Sequence, residues 1–129
     1  MMAELRKPIA DQLRIRDDLE GIVRGDVLFD DITQALYSTD ASLFEVKPLG
    51  VVVPRDEEDV CALVRYAAEH ELPLIPRGAG TGVAGESLGS GLVVDLSCHL
   101  RAILEVGSDT VRVYDPDRNV IEIRISRDR

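Results

Sequence analysis

Leu72-Pro73-Leu74-Ile75-Pro76-Arg77-Gly78-Ala79-Gly80-Thr81-Gly82-Val83-Ala84-Gly85 runs from a short apolar segment into four glycines within eight positions. Leu74-Ile75 reads as the start of a strand, and the glycines that follow read as a loop. A loop of this composition can turn several backbone N–H groups toward one point, because no Cβ stands in the way. Such a nest suits a pyrophosphate. Arg77 stands at its mouth, where an always-charged guanidinium can pair with phosphate oxygens or pin a neighbouring carboxylate. The plainer alternative is a surface turn with an incidental arginine.

Gly80-Thr81-Gly82-Val83-Ala84-Gly85 also satisfies G-x-G-x-x-G, the dinucleotide fingerprint of the Rossmann fold. That fingerprint must open a helix whose N-terminus receives the pyrophosphate. Here Glu86-Ser87-Leu88-Gly89-Ser90-Gly91 follows, with two glycines and no apolar face, and Leu92 begins the next strand. There is no room for a crossover helix. The pattern therefore argues against a Rossmann domain.

Upstream, Gly50-Val51-Val52-Val53 is a short β-branched run ended by Pro54, which reads as a buried strand. Asp56, Glu57, Glu58 and Asp59 place negative charge where a helix N-terminus favours it, so helix electrostatics explain them without a metal. Val60, Leu63, Val64, Ala67 and Ala68 then share one helical face, and the helix is predicted to end near His70. Strand, helix and strand with short connections imply a right-handed βαβ unit with parallel strands. Earlier still, Pro8 to Glu20 reads as an amphipathic helix with Pro8 in its first turn, stopping at Gly21. Gly21 to Lys47 has little periodicity, and Tyr37 to Ser42 reads as a loop. Downstream, Leu92-Val93-Val94, Ala102-Ile103-Leu104 and Val111-Arg112-Val113 read as further strands.

Composition bounds what such a chain does. Its 129 residues, 45% of them hydrophobic and 30% charged, suit one globular domain. The net charge of -9 disfavours nucleic acid and anionic lipid as partners. Cys61 and Cys98 lie far apart with no metal-ligand spacing and are expected to be buried, reduced thiols. No stretch is long and apolar enough to span a bilayer and no secretion signal is seen, so a cytoplasmic location is expected. Cys98 and His99 are neighbours in sequence, which on a strand sends their side chains to opposite faces, so His99 is expected to be an ordinary surface or loop histidine.

Taken together, Leu36 to Ser42, Pro48 to Pro54, Leu72 to Thr81 and Val93 to Ser97 resemble a known module. It is the PCMH-type FAD-binding domain of the vanillyl-alcohol oxidase superfamily, in the branch of D-lactate dehydrogenases and glycolate oxidase subunits. The likeness runs from about Gly21 to Val113. It implies an α+β fold in which the βαβ unit and glycine loop are followed by further strands, with FAD between two small subdomains. Arg77, Gly78, Ala79, Gly80, Thr81 and Gly82 would then line the diphosphate. Gly85 would let the chain turn close by, and Pro54 would lie toward the adenine end. The loop of Tyr37 and Asp40 would sit near the cofactor, with both side chains serving a capped turn. Covalent relatives use a histidine in this loop where Thr81 stands here, so the flavin is expected to be non-covalent. In a full-length parent the substrate would be a small 2-hydroxy acid such as D-lactate or glycolate. No catalytic or metal-binding residue is assigned to this chain, which alone is expected to be inactive.

After Val113 the likeness stops. Residues 1–20 are read as an N-terminal helix, 21–113 as the N-terminal part of the FAD domain, incomplete at its C-terminal side, and 114–129 as a divergent tail. In that tail Asp115 to Asn119 reads as a turn and Val120 to Ile125 as a short strand, faintly resembling the closing segment of glyoxalase-type metalloenzymes. Glu122 would match a metal ligand there, but one carboxylate makes no site. The competing view of the whole chain is a remnant domain that folds or self-associates without cofactor.

Overall fold

A computed structural model describes residues 2–101, 103–107, 110–114 and 120–124. In chain order they form α1 (Met2–Ile22), β1 (Asp26–Leu28), α2 (Asp31–Leu36), β2 (Gly50–Val53), α3 (Glu57–Glu69), β3 (Leu74–Arg77), β4 (Leu92–Asp95), β5 (Ile103–Val106), β6 (Thr110–Tyr114) and β7 (Val120–Arg124). The first four strands make one sheet in the order β1-β2-β4-β3. β2 and β3 both run parallel to β4, and β1 is antiparallel to β2.

β2 and β3 are parallel, as the strand-helix-strand pattern requires, yet they are not neighbours. β4 lies between them, so Val93 pairs with Val51 on one side and Ile75 on the other. The connection from β3 to β4, residues 78–91, contains no helix. That rules out the Rossmann arrangement and leaves the glycine loop to make the parallel crossover alone.

The valine runs show no polar alternation because both faces of the sheet are covered. Val52, Leu92 and Val94 face Ile15 and Leu19 of α1 and Val23 just after it, with Leu63 and Tyr66 of α3. Val51, Val53 and Val93 face the other way, with Leu28, Tyr37 and Ile75 packed against them. Tyr66 also donates its hydroxyl to Asp18 Oδ2 at 2.7 Å, fastening α3 to α1. Burial and that bond push the Tyr66 phenol up to about 12. The N-terminal helix is thus part of the same core as the βαβ unit.

Several expectations are corrected. α1 begins at Met2, so Pro8 lies inside it and not in its first turn. The segment without periodicity contains β1 and α2, each too short to display a repeat. On α3 the buried residues are Asp59, Leu63, Tyr66 and Ala67, while Val64 is 51% exposed and Ala68 is exposed. The helix is rotated from the purely apolar face because it must also bury Asp59. Cys61 and Cys98 are free and solvent-exposed, not buried: Cys61 lies on the outer side of α3 and Cys98 in the turn after β4.

Beyond β4, β5, β6 and β7 form a separate antiparallel sheet, with an irregularity in register between Ile103 and Glu105. The strand expected from Val120 is β7, while Ala102, Ile125 and the Asp115 to Asn119 turn lie outside the described residues. No helix among the described residues is long and apolar enough to cross a membrane.

Candidate functional site

Parallel strands bring their C-terminal ends to one edge, and in open sheets ligands gather at that edge. β2 ends there at Val53 and Pro54, β3 at Arg77 and β4 at Asp95, with Arg77 and Asp95 side by side in the register. The glycine loop leaves this edge directly after Arg77. Of the residues expected to form the site, Arg77 and Gly78 to Gly85 are contiguous there. Pro54 is at the same edge but fully buried, so its ring is part of the packing.

The four glycines serve different neighbours. A Cβ at Gly78 would meet nothing within 4 Å, and Gly78, Ala79 and Thr81 are exposed. Gly80 has φ +69°, and a Cβ there would lie 2.6 Å from Arg77 Nη2. At Gly82 the space is taken by the Glu86 carboxylate, which also accepts the Ala84 N–H at 3.1 Å. At Gly85, with φ +78°, a Cβ would be 2.9 Å from the Phe44 ring. The open part of the loop is therefore its first half. Among the described residues, no protein acceptor meets the N–H groups of Gly78, Ala79, Gly80, Thr81 or Gly82. Successive unpaired donors beside small residues are the kind of backbone that can receive an anion.

The Tyr37 to Glu45 segment closes one side of this loop. Ala41 donates its N–H to Gly80 O at 3.0 Å, and Ser87 Oγ donates to Asp40 Oδ2 at 3.0 Å. Asp40 also accepts the Ser42 N–H at 2.8 Å, so its carboxylate caps a turn, as expected for that loop. The Ser42 bonds, assisted by Ser87 and the Arg77 charge, hold Asp40 below the ordinary carboxylate range despite partial burial. Tyr37 donates its hydroxyl to Asp95 Oδ2 at 2.5 Å. Asp95 Oδ1 accepts from Ser97 N at 2.8 Å and Ser97 Oγ at 2.6 Å. Burial pushes Asp95 up, but these bonds and the Arg77 charge outweigh it and leave the carboxyl below its ordinary value. For Tyr37, burial and the bond to Asp95 act together and raise the phenol to about 12.

Arg77 joins the two segments. Its Nη2 donates to Thr39 O at 2.9 Å, and its Cζ lies 5.1 Å from the centre of the Tyr37 ring. Its Nη1 is buried and has no partner. Asp95 and Ser97 are structural members of the site that sequence reasoning did not single out, although they lie in the Val93 to Ser97 stretch that carries the resemblance. Cys98 and His99 are both exposed in the turn beyond, so His99 is the loop histidine expected of it.

The donor set is compatible with a dinucleotide, because unpaired amides suit a diphosphate. A family model described as an FAD binding domain matches residues 48–114, just over half the chain and all of the loop. The D-2-hydroxyglutarate dehydrogenase of Pseudomonas putida is 40% identical over 86 residues, which cover 64% of this chain and 8% of that protein. Glycolate oxidase subunit GlcD of Bacillus subtilis is 31% identical over 93 residues, 69% of this chain and 20% of that one. The chain thus spans a small part of the length of these relatives. Among solved structures, an alkyldihydroxyacetonephosphate synthase superposes with a TM-score of 0.65 at 19% identity, covering 81% of this chain and 22% of that one, which supports the fold. With its glycine loop, parallel strands and matched span in agreement, the chain belongs to the FAD binding domain family, of the vanillyl-alcohol oxidase type.

Proposed function

We propose that the loop from Gly78 to Gly82 holds the diphosphate of non-covalently bound FAD, within a flavin-dependent oxidoreductase that oxidises a 2-hydroxy acid. The observation that carries this reading is the run of five amide donors without protein acceptors at the C-terminal edge of the parallel strands. Gly78, Ala79, Gly80 and Thr81 form the open centre of the cradle. Gly82 supplies a further donor next to Glu86, and Gly85 lets the chain turn back. When bound, the isoalloxazine accepts the electrons taken from the substrate carbon. The chain's own contribution is to anchor the dinucleotide by its phosphates and so fix where the ring lies. The 2-hydroxy acid follows from the dehydrogenases and oxidase subunit that the chain resembles.

Titrating the chain with FAD and FMN while following flavin fluorescence tests the diphosphate assignment. FMN carries the same ring system on a single phosphate, so it should bind at least about tenfold more weakly, a difference of about 1.4 kcal/mol. Equal affinities would move the recognition away from the loop. Thr81 has no nucleophilic nitrogen, so denaturation should free all the flavin. Yellow colour kept by the unfolded polypeptide would contradict non-covalent binding.

A further inference from the structure

We propose that Arg77 is a positioning residue of this cradle, a strut that locks the Tyr37 to Glu45 segment onto the glycine loop, and not one of the cradle's anion ligands. The inference rests on the reading of Gly78 to Gly82 as a diphosphate site.

An arginine at the mouth of a glycine loop invites assignment to phosphate, but its geometry here is turned the other way. Nη2 donates to the backbone oxygen of Thr39, and Nη1 is enclosed by protein. A fork that gripped a phosphate would present its nitrogens to the ligand side. The flat face is also occupied, since Cζ lies 5.1 Å from the centre of the Tyr37 ring. Tyr37 is in turn fixed by its hydroxyl bond to Asp95, the residue beside Arg77 in the sheet register. The guanidinium thus closes a ring of contacts from β3 through the Tyr37 to Glu45 segment to β4.

Gly80 completes the arrangement. Its φ of +69° suits glycine, and any Cβ would press on Arg77 Nη2. The glycine makes room for the arginine, and the arginine bears on peptides whose N–H groups form the cradle. Ala41 N–H on Gly80 O joins the same two segments a second time. A lysine cannot take over this role, because an ammonium has neither the planar face for Tyr37 nor the fixed fork.

Two measurements test the strut. In the first, hydrogen exchange is followed by mass spectrometry in the unliganded chain and in Arg77→Lys. Residues 38–46, where Ala41 and Val46 have hydrogen-bonded amides, should exchange faster in the variant, with α3 and β4 unchanged. Unchanged exchange in residues 38–46, or a general rise that includes α3 and β4, overturns the proposal. In the second, FAD affinity is measured for Arg77→Lys, Tyr37→Leu and the double variant. Each single variant should lose about tenfold, or about 1.4 kcal/mol. The double should lose little more than either, because both remove one shared device. A lysine that preserves affinity, or losses that multiply in the double variant, would make Arg77 a phosphate ligand and overturn the proposal. The two readings fail separately: absence of FAD binding by the unaltered chain defeats the diphosphate site, whereas unchanged loop exchange defeats the strut.

Discussion

Gly78→Asp is expected to abolish measurable FAD binding while leaving the fold intact. A side chain at Gly78 meets no protein atom within 4 Å, and its φ is not in the left-handed region, unlike that of Gly80 and Gly85. The substitution therefore adds charge without forcing the loop to move. Two like charges about 4 Å apart repel by about 4 kcal/mol near a protein surface. That corresponds to roughly a thousandfold loss of affinity. Gly80→Asp is a poorer experiment, since it would collide with Arg77 and strain the backbone as well. Circular dichroism should match between Gly78→Asp and the unaltered chain, and fluorescence titration should separate them. Unchanged affinity in a folded Gly78→Asp would show that the diphosphate lies elsewhere.

The second large effect is expected far from the loop. Asp59 is 2% exposed, and its carboxylate accepts three backbone donors: Arg24 N at 2.8 Å, Gly25 N at 2.9 Å and Arg55 N at 2.9 Å. It ties the start of α3 to the turn before β1 and to the residue after Pro54. The Arg24 guanidinium adds ion pairs to Asp56 and, at 2.9 Å, to Glu58. Asp59→Ala leaves the three donors without their acceptor. The expected cost is about 3–5 kcal/mol, the range for breaking a buried charged arrangement by removing one partner. A domain with only about 5–15 kcal/mol in total would lose a large part of its stability. Urea unfolding measures it, and a midpoint unchanged in Asp59→Ala would contradict the structural role.

The same carboxylate predicts a pH dependence. Burial acts to raise Asp59, but the N–H donors of Arg24, Arg55 and Gly25 and the Arg24 charge outweigh it, so the folded value lies below the ordinary 3.8. A lowered folded value means that the native state prefers the ionised form. Its contribution is complete above 3.8 and is lost as the pH falls through the lower folded value. Asp59→Asn should therefore be less stable at neutral pH and show a shallower decline in stability on acidification. A parallel decline in both proteins would exclude Asp59 as a source of the acid sensitivity.

Much of the fold was legible because it depends on local patterns. The valine run at Gly50 to Val53, the acidic start of α3 and the glycines after Arg77 each carry their own signal. What escaped depends on distant partners. Nothing near Leu92 tells that β4 will slip between β2 and β3. Asp59 sits in an acidic run that helix electrostatics already explained, so its burial under the Arg24-Gly25 turn left no separate mark. That burial also rotates α3 away from the face that Val60, Val64 and Ala68 suggested. At the site, the glycine loop was found from sequence, but the division of labour among its glycines was not. Glu86 beside Gly82 and Phe44 beside Gly85 are contacts made only in the folded chain. The same holds for Arg77, whose partners Tyr37 and Thr39 lie some 40 residues upstream on a segment without periodicity.

Thermal unfolding of the chain with FAD or NAD tests the central claim most directly, since a ligand that binds only the folded state raises its stability by mass action. Saturation at 100 times the dissociation constant adds about 2.7 kcal/mol. FAD should raise the midpoint of the unaltered chain in proportion to the logarithm of its concentration, and should leave Gly78→Asp where it was. Stabilisation by NAD with no effect of FAD would contradict the flavin-binding role of this loop.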